Sequence, residues 1–139
     1  MREILFRGKR EDNGEWVYGY YVKLPDVAGS VGFMHVPASN PDEHNTAHYV
    51  ALETVGQYTG LTDKNGNKIF EGDLLKNTLD NSISIVEWNE NHTAFTLKQI
   101  GLHNLGVGGT IYGFPKIGHE VYLIIGNIHD NPELIGGDE

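Results

Sequence analysis

The chain has 139 residues, a length that suits one compact domain or two small β units that share a core. Hydrophobic residues make up 39%, which is enough for a packed core and argues against disorder. The absence of cysteine excludes disulfides, cysteine-ligated zinc and thiol nucleophiles. No apolar run approaches the roughly 18 residues of a membrane helix. Since the first residues also lack a signal-peptide pattern, we expect a cytoplasmic protein with no membrane partner.

The net charge of −9 is unevenly distributed along the chain. Residues 1–24 carry five basic and four acidic side chains, whereas residues 25–139 carry five basic and fifteen acidic ones, a balance of −10. Such a surface repels phosphate backbones unless a local basic patch overrides it. Nucleic acid is therefore a possible partner that the net charge does not favour.

The first 51 residues read as β structure. Alternating apolar residues on both sides of Asn13-Gly14 predict a β-hairpin, because both turn residues tolerate positive φ. A strand is expected over 31–36, and a short helical turn over 41–48, where acidic residues would favour a helix N-terminus. Further strands are expected before and after Glu53-Thr54.

The segment "QYTGLTDKNGNKIFEGDLL", residues 57–75, is dense in turn residues. Asn65-Gly66 is again a hairpin signal. Gly72 suits a bulge or tight turn, and Asp73 can accept hydrogen bonds from nearby backbone N–H groups. We interpret these four residues, Asn65, Gly66, Gly72 and Asp73, as structural turn residues.

The remaining chain continues the β pattern. The runs "SISIVEW" and "AFTLKQI" predict a hairpin, the glycine-dense stretch 101–118 a long loop, and "HEVYLIIGNI" a buried strand. No stretch of twelve residues has helical periodicity, so the fold is expected to be mainly β.

Several blocks resemble the YopX family of phage and prophage proteins. They are "MREILFRGKREDNGEWVYGYYV", "ETVGQYTGLTDKNGNKIFEGDLL", "VEW" followed by "AFTL", and the ending "IIGNIHDNPELI". Residues 25–48 and 101–113 are less typical of the family. The resemblance implies a β-rich, oligomeric protein with an SH3-like β-barrel in its C-terminal half. We therefore expect an N-terminal β-hairpin region at residues 1–55 that packs with the barrel at residues 56–139, with one continuous domain as the alternative. It implies no catalytic residue, cofactor or metal, and a fold of this kind hosts many functions.

Two readings of the acidic residues compete with the turn interpretation. A calcium loop starting at Asp63 fails, because Lys68 and Leu74 would fall where an EF-hand needs glycine and a bidentate glutamate. The carboxylates Glu53, Asp63, Glu71 and Asp73 would have to converge to form an acid/base pair or magnesium site. Turn and surface roles explain the same residues, so we predict no enzyme activity.

Two further patterns are weak. His44 and His48 would share a helical face and could bind zinc together with His35, but the stretch lacks the H-E-x-x-H pattern. The run 106–110, "GVGGT", lacks the Gly-Lys-Ser/Thr ending of a phosphate loop. A polar surface loop and a plain glycine-rich loop are the simpler interpretations.

The N-terminal hairpin combines basic and aromatic residues that are candidates for partner or nucleic-acid contact: Arg7, Lys9, Arg10, Trp16, Tyr18 and Tyr20. Such a surface could stack single-stranded nucleic acid. Aromatic residues are equally enriched at protein interfaces, which we favour. The leading hypothesis is a non-enzymatic phage accessory protein that forms a homo-oligomer and binds a host or phage protein. The alternatives are a nucleic-acid-binding module and an acidic, nucleic-acid-mimicking decoy.

Overall fold

The computed structural model describes residues 3–23, 31–38, 40, 43–91, 93–100, 111–113 and 121–135. The strands within these ranges are Phe6–Lys9 (β1), Trp16–Lys23 (β2), Val31–Val36 (β3), Thr46–Ala51 (β4), Gly56–Thr62 (β5), Lys68–Phe70 (β6), Asp73–Asn77 (β7), Ile83–Asn89 (β8), Ala94–Ile100 (β9), Ile111–Gly113 (β10) and Tyr122–Asn127 (β11). Two 3-10 helices, Leu52–Thr54 and Pro132–Leu134, complete the described structure. The predicted mainly β fold is confirmed. No helix in the described part of the chain has the length and hydropathy that crossing a bilayer requires.

The chain divides into two compact units, Met1–Tyr58 and Thr59–Glu139. Strand β5 begins in the first unit and ends in the second. The expected boundary between residues 55 and 56 therefore precedes the observed division by three residues.

The first unit is an antiparallel sheet that rolls up on itself. Its strands belong to a six-stranded sheet in the order β4-β3-β2-β1-β5-β6. The roll brings the end of β1 back against β4, because Arg10 forms an isolated antiparallel bridge with Val50 and the Glu11 amide donates to the Tyr49 carbonyl over 3.0 Å. One face of the sheet is thereby turned inward, and Met34 and Val50 on that face are fully buried.

The tight roll depends on a close backbone approach at Gly19. A Cβ atom at this position would collide with the carbonyl oxygen of His35. Tyr21, two residues along the same face, packs its ring against Phe6 at 5.8 Å, and burial raises the pKa of its hydroxyl. The inner face thus combines glycine at the contact between backbones with apolar side chains beside it.

The second unit contains an antiparallel sheet in the order β10-β9-β8-β7-β11. Its core is a cluster of apolar side chains, one from β6 and one from each of four strands of this sheet: Ile69, Leu75, Val86, Leu97 and Tyr122. Over the described residues this sheet is open, since β10 and β11 end it and no pairing joins them. The closed barrel expected for residues 56–139 is thus not formed by the described strands. It is the sheet of the first unit that curls back on itself, through the bridge between the end of β1 and β4.

Two local predictions need correction. The stretch 101–118, expected to be an irregular loop, contains β10, which pairs with β9 through Tyr112 and Leu97. The helical turn expected over 41–48 does not extend through its last residues, because 46–48 belong to β4; residues 41 and 42 lie outside the described ranges. Pairing with β3 along all six residues of β4 overrides the weak local preference for a helix.

The turn after β5 is organised by the carboxylate of Asp63. One carboxylate oxygen accepts the backbone N–H groups of Asn65 and Asn67, each at 2.9 Å. The other accepts the N–H of Ile124 in β11 at 3.1 Å, while the Lys64 amide donates to the Tyr122 carbonyl. The turn therefore also covers the edge of β11, where unpaired backbone groups would otherwise be exposed to pairing with another chain.

Hydrogen bonding determines the charge state of this carboxyl. Burial acts to raise the pKa of Asp63, but the N–H groups of Ile124, Asn67 and Asn65 outweigh burial and hold the pKa below its ordinary value. The ionised form is therefore the one that the fold stabilises.

The two predicted turn glycines have the backbone that glycine favours. Gly66 has φ +86° and Gly72 has φ +94°. Gly72 also joins two segments, since its N–H donates to the Val86 carbonyl at 2.8 Å and its carbonyl accepts from Ile128 at 3.0 Å. Next to it, the Asp73 carboxylate accepts the Phe70 amide at 2.7 Å.

Replacing either glycine with valine should destabilise the fold. We expect Gly66→Val and Gly72→Val each to lower the free energy of unfolding by about 1–3 kcal/mol, because a β-branched residue at positive φ is strained. Urea denaturation followed by circular dichroism measures the change. Lys68→Val, exposed and within strand β6, is the matched control and should change stability little. Glycine variants as stable as the parent protein would contradict the role of these turns.

Removing the charge of Asp63 should reduce stability in a pH-dependent way. Asp63→Asn should lower the free energy of unfolding by about 1–3 kcal/mol at neutral pH. The amide nitrogen that replaces one carboxylate oxygen cannot accept hydrogen bonds from the backbone N–H groups which that oxygen accepts. A lowered folded-state pKa means that the stabilisation is present above the unfolded-state pKa, and is lost as pH falls from about 4 through the folded-state value. The difference between variant and parent in urea denaturation should therefore shrink in acid. Glu90→Gln is the control, and a pH-independent difference for Asp63→Asn would refute the assignment.

Candidate functional site

An unusual set of aromatic side chains lies on the outer face of the rolled sheet in the first unit. Register places Tyr20 opposite His35, Val22 opposite Phe33, and Phe33 opposite Tyr49, so these side chains share one face across β2, β3 and β4. We call this surface the aromatic face. It comprises Tyr18, Tyr20, Val22, Phe33, His35 and Tyr49.

Two ring contacts join neighbouring strands on the aromatic face, and each pairs an exposed tyrosine with a half-buried ring of β3. Tyr20 stacks on His35 with ring centroids 6.3 Å apart, and Phe33 meets Tyr49 edge to face at 5.4 Å. The exposed fraction is 54% for Tyr20 and 55% for Tyr49, and Tyr18 and Val22 are similarly exposed. The β-sheet backbone holds these rings in place, so little conformational entropy would be lost when they contact a partner.

Such a surface is suited to contact with protein. Contiguous exposed apolar surface in a folded domain marks an interaction site more often than isolated exposed residues do. Tyrosine is enriched in interfaces because it combines a large apolar ring with a hydroxyl that stays hydrogen-bonded. The four exposed members include three tyrosines, Tyr18, Tyr20 and Tyr49.

The basic side chains that the sequence predicted beside these rings differ in their surroundings. Arg7 is only 6% exposed and its guanidinium carbon lies 4.7 Å from the centre of the Trp16 ring. The Lys9 ammonium lies 5.6 Å from the same ring. Trp16 thus contacts two cations through its π face, an arrangement that stabilises the β1–β2 hairpin and leaves Arg7 little surface for a ligand.

Arg10 is the third predicted cation, and its charge is matched within the hairpin turn. Its guanidinium donates to both carboxylate oxygens of Asp12, at 2.9 and 2.7 Å. This hydrogen-bonded pair raises the pKa of Arg10 and lowers that of Asp12. A phosphate approaching Arg10 would have to compete with a bidentate carboxylate.

The acidic residues considered as a catalytic or metal cluster serve separate local roles. Asp63 and Asp73 are buried and accept backbone N–H groups in different turns. Glu53 is exposed on the 3-10 helix of the first unit, and Glu71 is half-buried beside Gly72. Within the described residues, no three His, Cys, Asp or Glu side chains are grouped so that they could hold a metal ion.

The three histidines proposed as zinc ligands are not brought to one face. His35 pairs with Ala47 and lies on the aromatic face, whereas His48 pairs with Met34 and therefore lies on the inner face. His44 is exposed before β4 begins. A strand in place of the expected helical turn thus removes the i, i+4 geometry on which the zinc hypothesis depended. The glycine run 106–110 lies outside the described residues.

A small cavity adjoins the aromatic face at Tyr49. It has a volume of about 180 Å³ and is lined by Glu11, Asp12, Ala47, His48 and Tyr49. The hydrogen bond from the Glu11 amide to the Tyr49 carbonyl fixes the hairpin turn next to β4, which creates this cavity. Ligand pockets typically measure about 300–1,000 Å³, so this one is too small for a cofactor.

The sequence hypothesis found part of this surface and missed the rest. Tyr18 and Tyr20 were expected to contact a partner, whereas Val22, Phe33 and Tyr49 were not. Period-two alternation in "VGFMHV" and "TAHYVA" was a usable signal for one face of β3 and β4. It did not reveal which face points outward, because that depends on the roll that joins Arg10 to Val50.

Comparisons with known proteins identify the family and add one related structure. No curated protein matches the chain. A crystal structure of protein EF1440 from Enterococcus faecalis is similar over 97% of this chain and 99% of that one, with 23% identity and a TM-score of 0.44. The sequence profile described as YopX protein matches residues 5–136, nearly the whole length. The chain therefore belongs to the YopX family.

Proposed function

We propose that this protein is a non-enzymatic binding module that docks a partner protein on the aromatic face. The observation that carries the proposal is the pair of exposed rings Tyr20 and Tyr49, each in contact with a half-buried ring of β3. Interfaces are built around rigid aromatic anchors of this kind, and a few such residues supply most of the binding energy.

The arrangement of polar groups supports a binding role over a catalytic one. A general base or metal ligand needs a carboxylate or imidazole able to reach a substrate. Asp63 and Asp73 are buried and bonded to backbone, and the cavity beside Tyr49 is smaller than a typical substrate pocket.

Protein is a better-supported partner than nucleic acid. Stacking on tyrosine rings would suit single strands, but such sites combine stacking with a basic groove that follows the backbone. Here Arg7 is buried against Trp16 and Arg10 is bonded to Asp12, while the chain as a whole carries −9. The decoy hypothesis uses the same negative charge but gives no role to the aromatic face.

Three further expectations from the family resemblance belong to this proposal: an SH3-like sheet in the second unit, a phage or prophage origin, and action in the bacterial cytoplasm. Homo-oligomer formation is a fourth expectation. If a homo-oligomer forms through the aromatic face, the second copy is itself the docked partner. If it forms through another surface, the aromatic face remains open to a different protein, so the identity of the partner can be tested at that face.

Photo-crosslinking from position 20 tests the proposal. We expect Tyr20→p-benzoylphenylalanine, expressed in the cell that makes the protein, to give a discrete adduct of higher mass upon irradiation. The adduct should be digested by protease and resist nuclease, because the ring lies where we place the partner protein. An adduct of twice the chain mass would identify a second copy.

Leu79 provides the matched control, since it is the most exposed large hydrophobic residue in the described turns of the second unit. Leu79→p-benzoylphenylalanine should give no discrete adduct. An adduct at position 20 that nuclease removes would favour the nucleic-acid alternative. No adduct beyond that of the control would refute the aromatic face as a docking surface.

A further inference from the structure

We propose that the partner is a basic protein segment that places an arginine or lysine side chain in the cavity between Glu11 and Tyr49, with apolar residues on the aromatic face. This inference rests on the proposed function and specifies the chemistry of the partner. It commits to a different protein in preference to a second copy of this chain.

The cavity has the size and lining that suit one cationic side chain. Its volume is about 180 Å³, below the range of small-molecule pockets. Its lining includes two acidic residues, Glu11 and Asp12, and the aromatic residue Tyr49, together with Ala47 and His48. A guanidinium or ammonium group can therefore meet an acceptor oxygen and a π face together.

Glu11 is the carboxylate available to such a cation. Asp12 already binds Arg10 through both oxygens, with the shorter contact at 2.7 Å. Glu11 is exposed and forms no ion pair with any of the described residues. Its backbone N–H is bonded to the Tyr49 carbonyl, so the residue is held beside the aromatic face.

Charge complementarity favours a basic partner over a second copy. The hairpin turn carries Glu11, Asp12 and Glu15, of which Asp12 is paired with Arg10, while the other cations of the hairpin, Arg7 and Lys9, contact Trp16. A second copy that docked through the same patch would bring its own Glu11 and Asp12 to this cavity lining, and like charges across an interface are unfavourable. A basic segment would be attracted, and apolar residues beside its cation would cover Val22 and Phe33.

Three short peptides that differ only in their central residue provide the test. The probes are acetyl-Leu-Arg-Leu-amide, acetyl-Leu-Gln-Leu-amide and acetyl-Leu-Glu-Leu-amide, each titrated into the full chain at neutral pH and followed by backbone amide NMR shifts. We expect the arginine peptide to bind most tightly and to shift the amides of Glu11 and of residues 47–49. Added salt should weaken its binding, because the contact is partly electrostatic.

Single substitutions locate the preference for arginine. Glu11→Gln should weaken the arginine peptide about two- to fivefold, as expected for an exposed ion pair, and leave the glutamine peptide unchanged. Glu53→Gln, an exposed carboxylate elsewhere in the first unit, should have no effect. Tyr20→Ser should weaken the arginine and glutamine peptides alike.

The outcomes separate this inference from the proposed function. Equal binding of the three peptides, an arginine preference that survives Glu11→Gln, or no binding of any peptide would each overturn the cationic site. A protein adduct at position 20 without an arginine preference overturns this inference alone, whereas an adduct of twice the chain mass identifies a second copy as the occupant.

Discussion

The bridge between Arg10 and Val50 is the constraint on which the first unit depends. It fixes how far the sheet curls, and the curl decides which side chains are inside. Gly19 permits the backbone of β2 to approach His35, and Met34 and Val50 fill the interior that remains. Bulky rings on the opposite face of the same strands are consequently directed outward. The outward direction of the aromatic face follows from the curl of this small sheet, and contact with the surface of another molecule would reduce its exposure.

The segments that identify the family serve mainly to satisfy backbone groups. Asp63 accepts three N–H groups and covers the edge of β11. In the closing motif, the side-chain Oδ1 of Asn127 accepts the backbone N–H groups of His129 and Asp130, and the side-chain Oδ1 of Asn131 accepts the backbone N–H of Asn127. Polar side chains that are fully hydrogen-bonded in this way rigidify a fold and are unavailable to a substrate. Sequence similarity in these segments therefore reports a shared framework and says little about a shared ligand.

Sequence reasoning succeeded where the signal is local. Asn13-Gly14, Asn65-Gly66 and the alternation around residues 83–100 depend on φ preferences and on a period of two, and each corresponds to a hairpin in the structure. It failed where distant segments decide the outcome. The helical turn near residue 48 was overridden by pairing with β3, and the burial of Arg7 depends on its contact with Trp16. Basic residues that lie close together in the sequence indicated a basic surface. In the folded hairpin, however, Arg7 and Lys9 contact Trp16, and Arg10 binds Asp12.

The aromatic face combines residues of the first hairpin with residues of β3 and β4. Tyr18 and Tyr20 belong to an N-terminal block whose motifs resemble the family, whereas Phe33 and His35 lie in the stretch 25–48, which we expect to be less typical of it. The N-terminal block also contains Glu11, which lines the cavity. If this expectation holds, the rings that stack across β2 and β3 combine a shared element with a more individual one. Since specificity is a difference between affinities for competing partners, side chains from β3 would be the ones to distinguish between partners if the proposed docking takes place on this face.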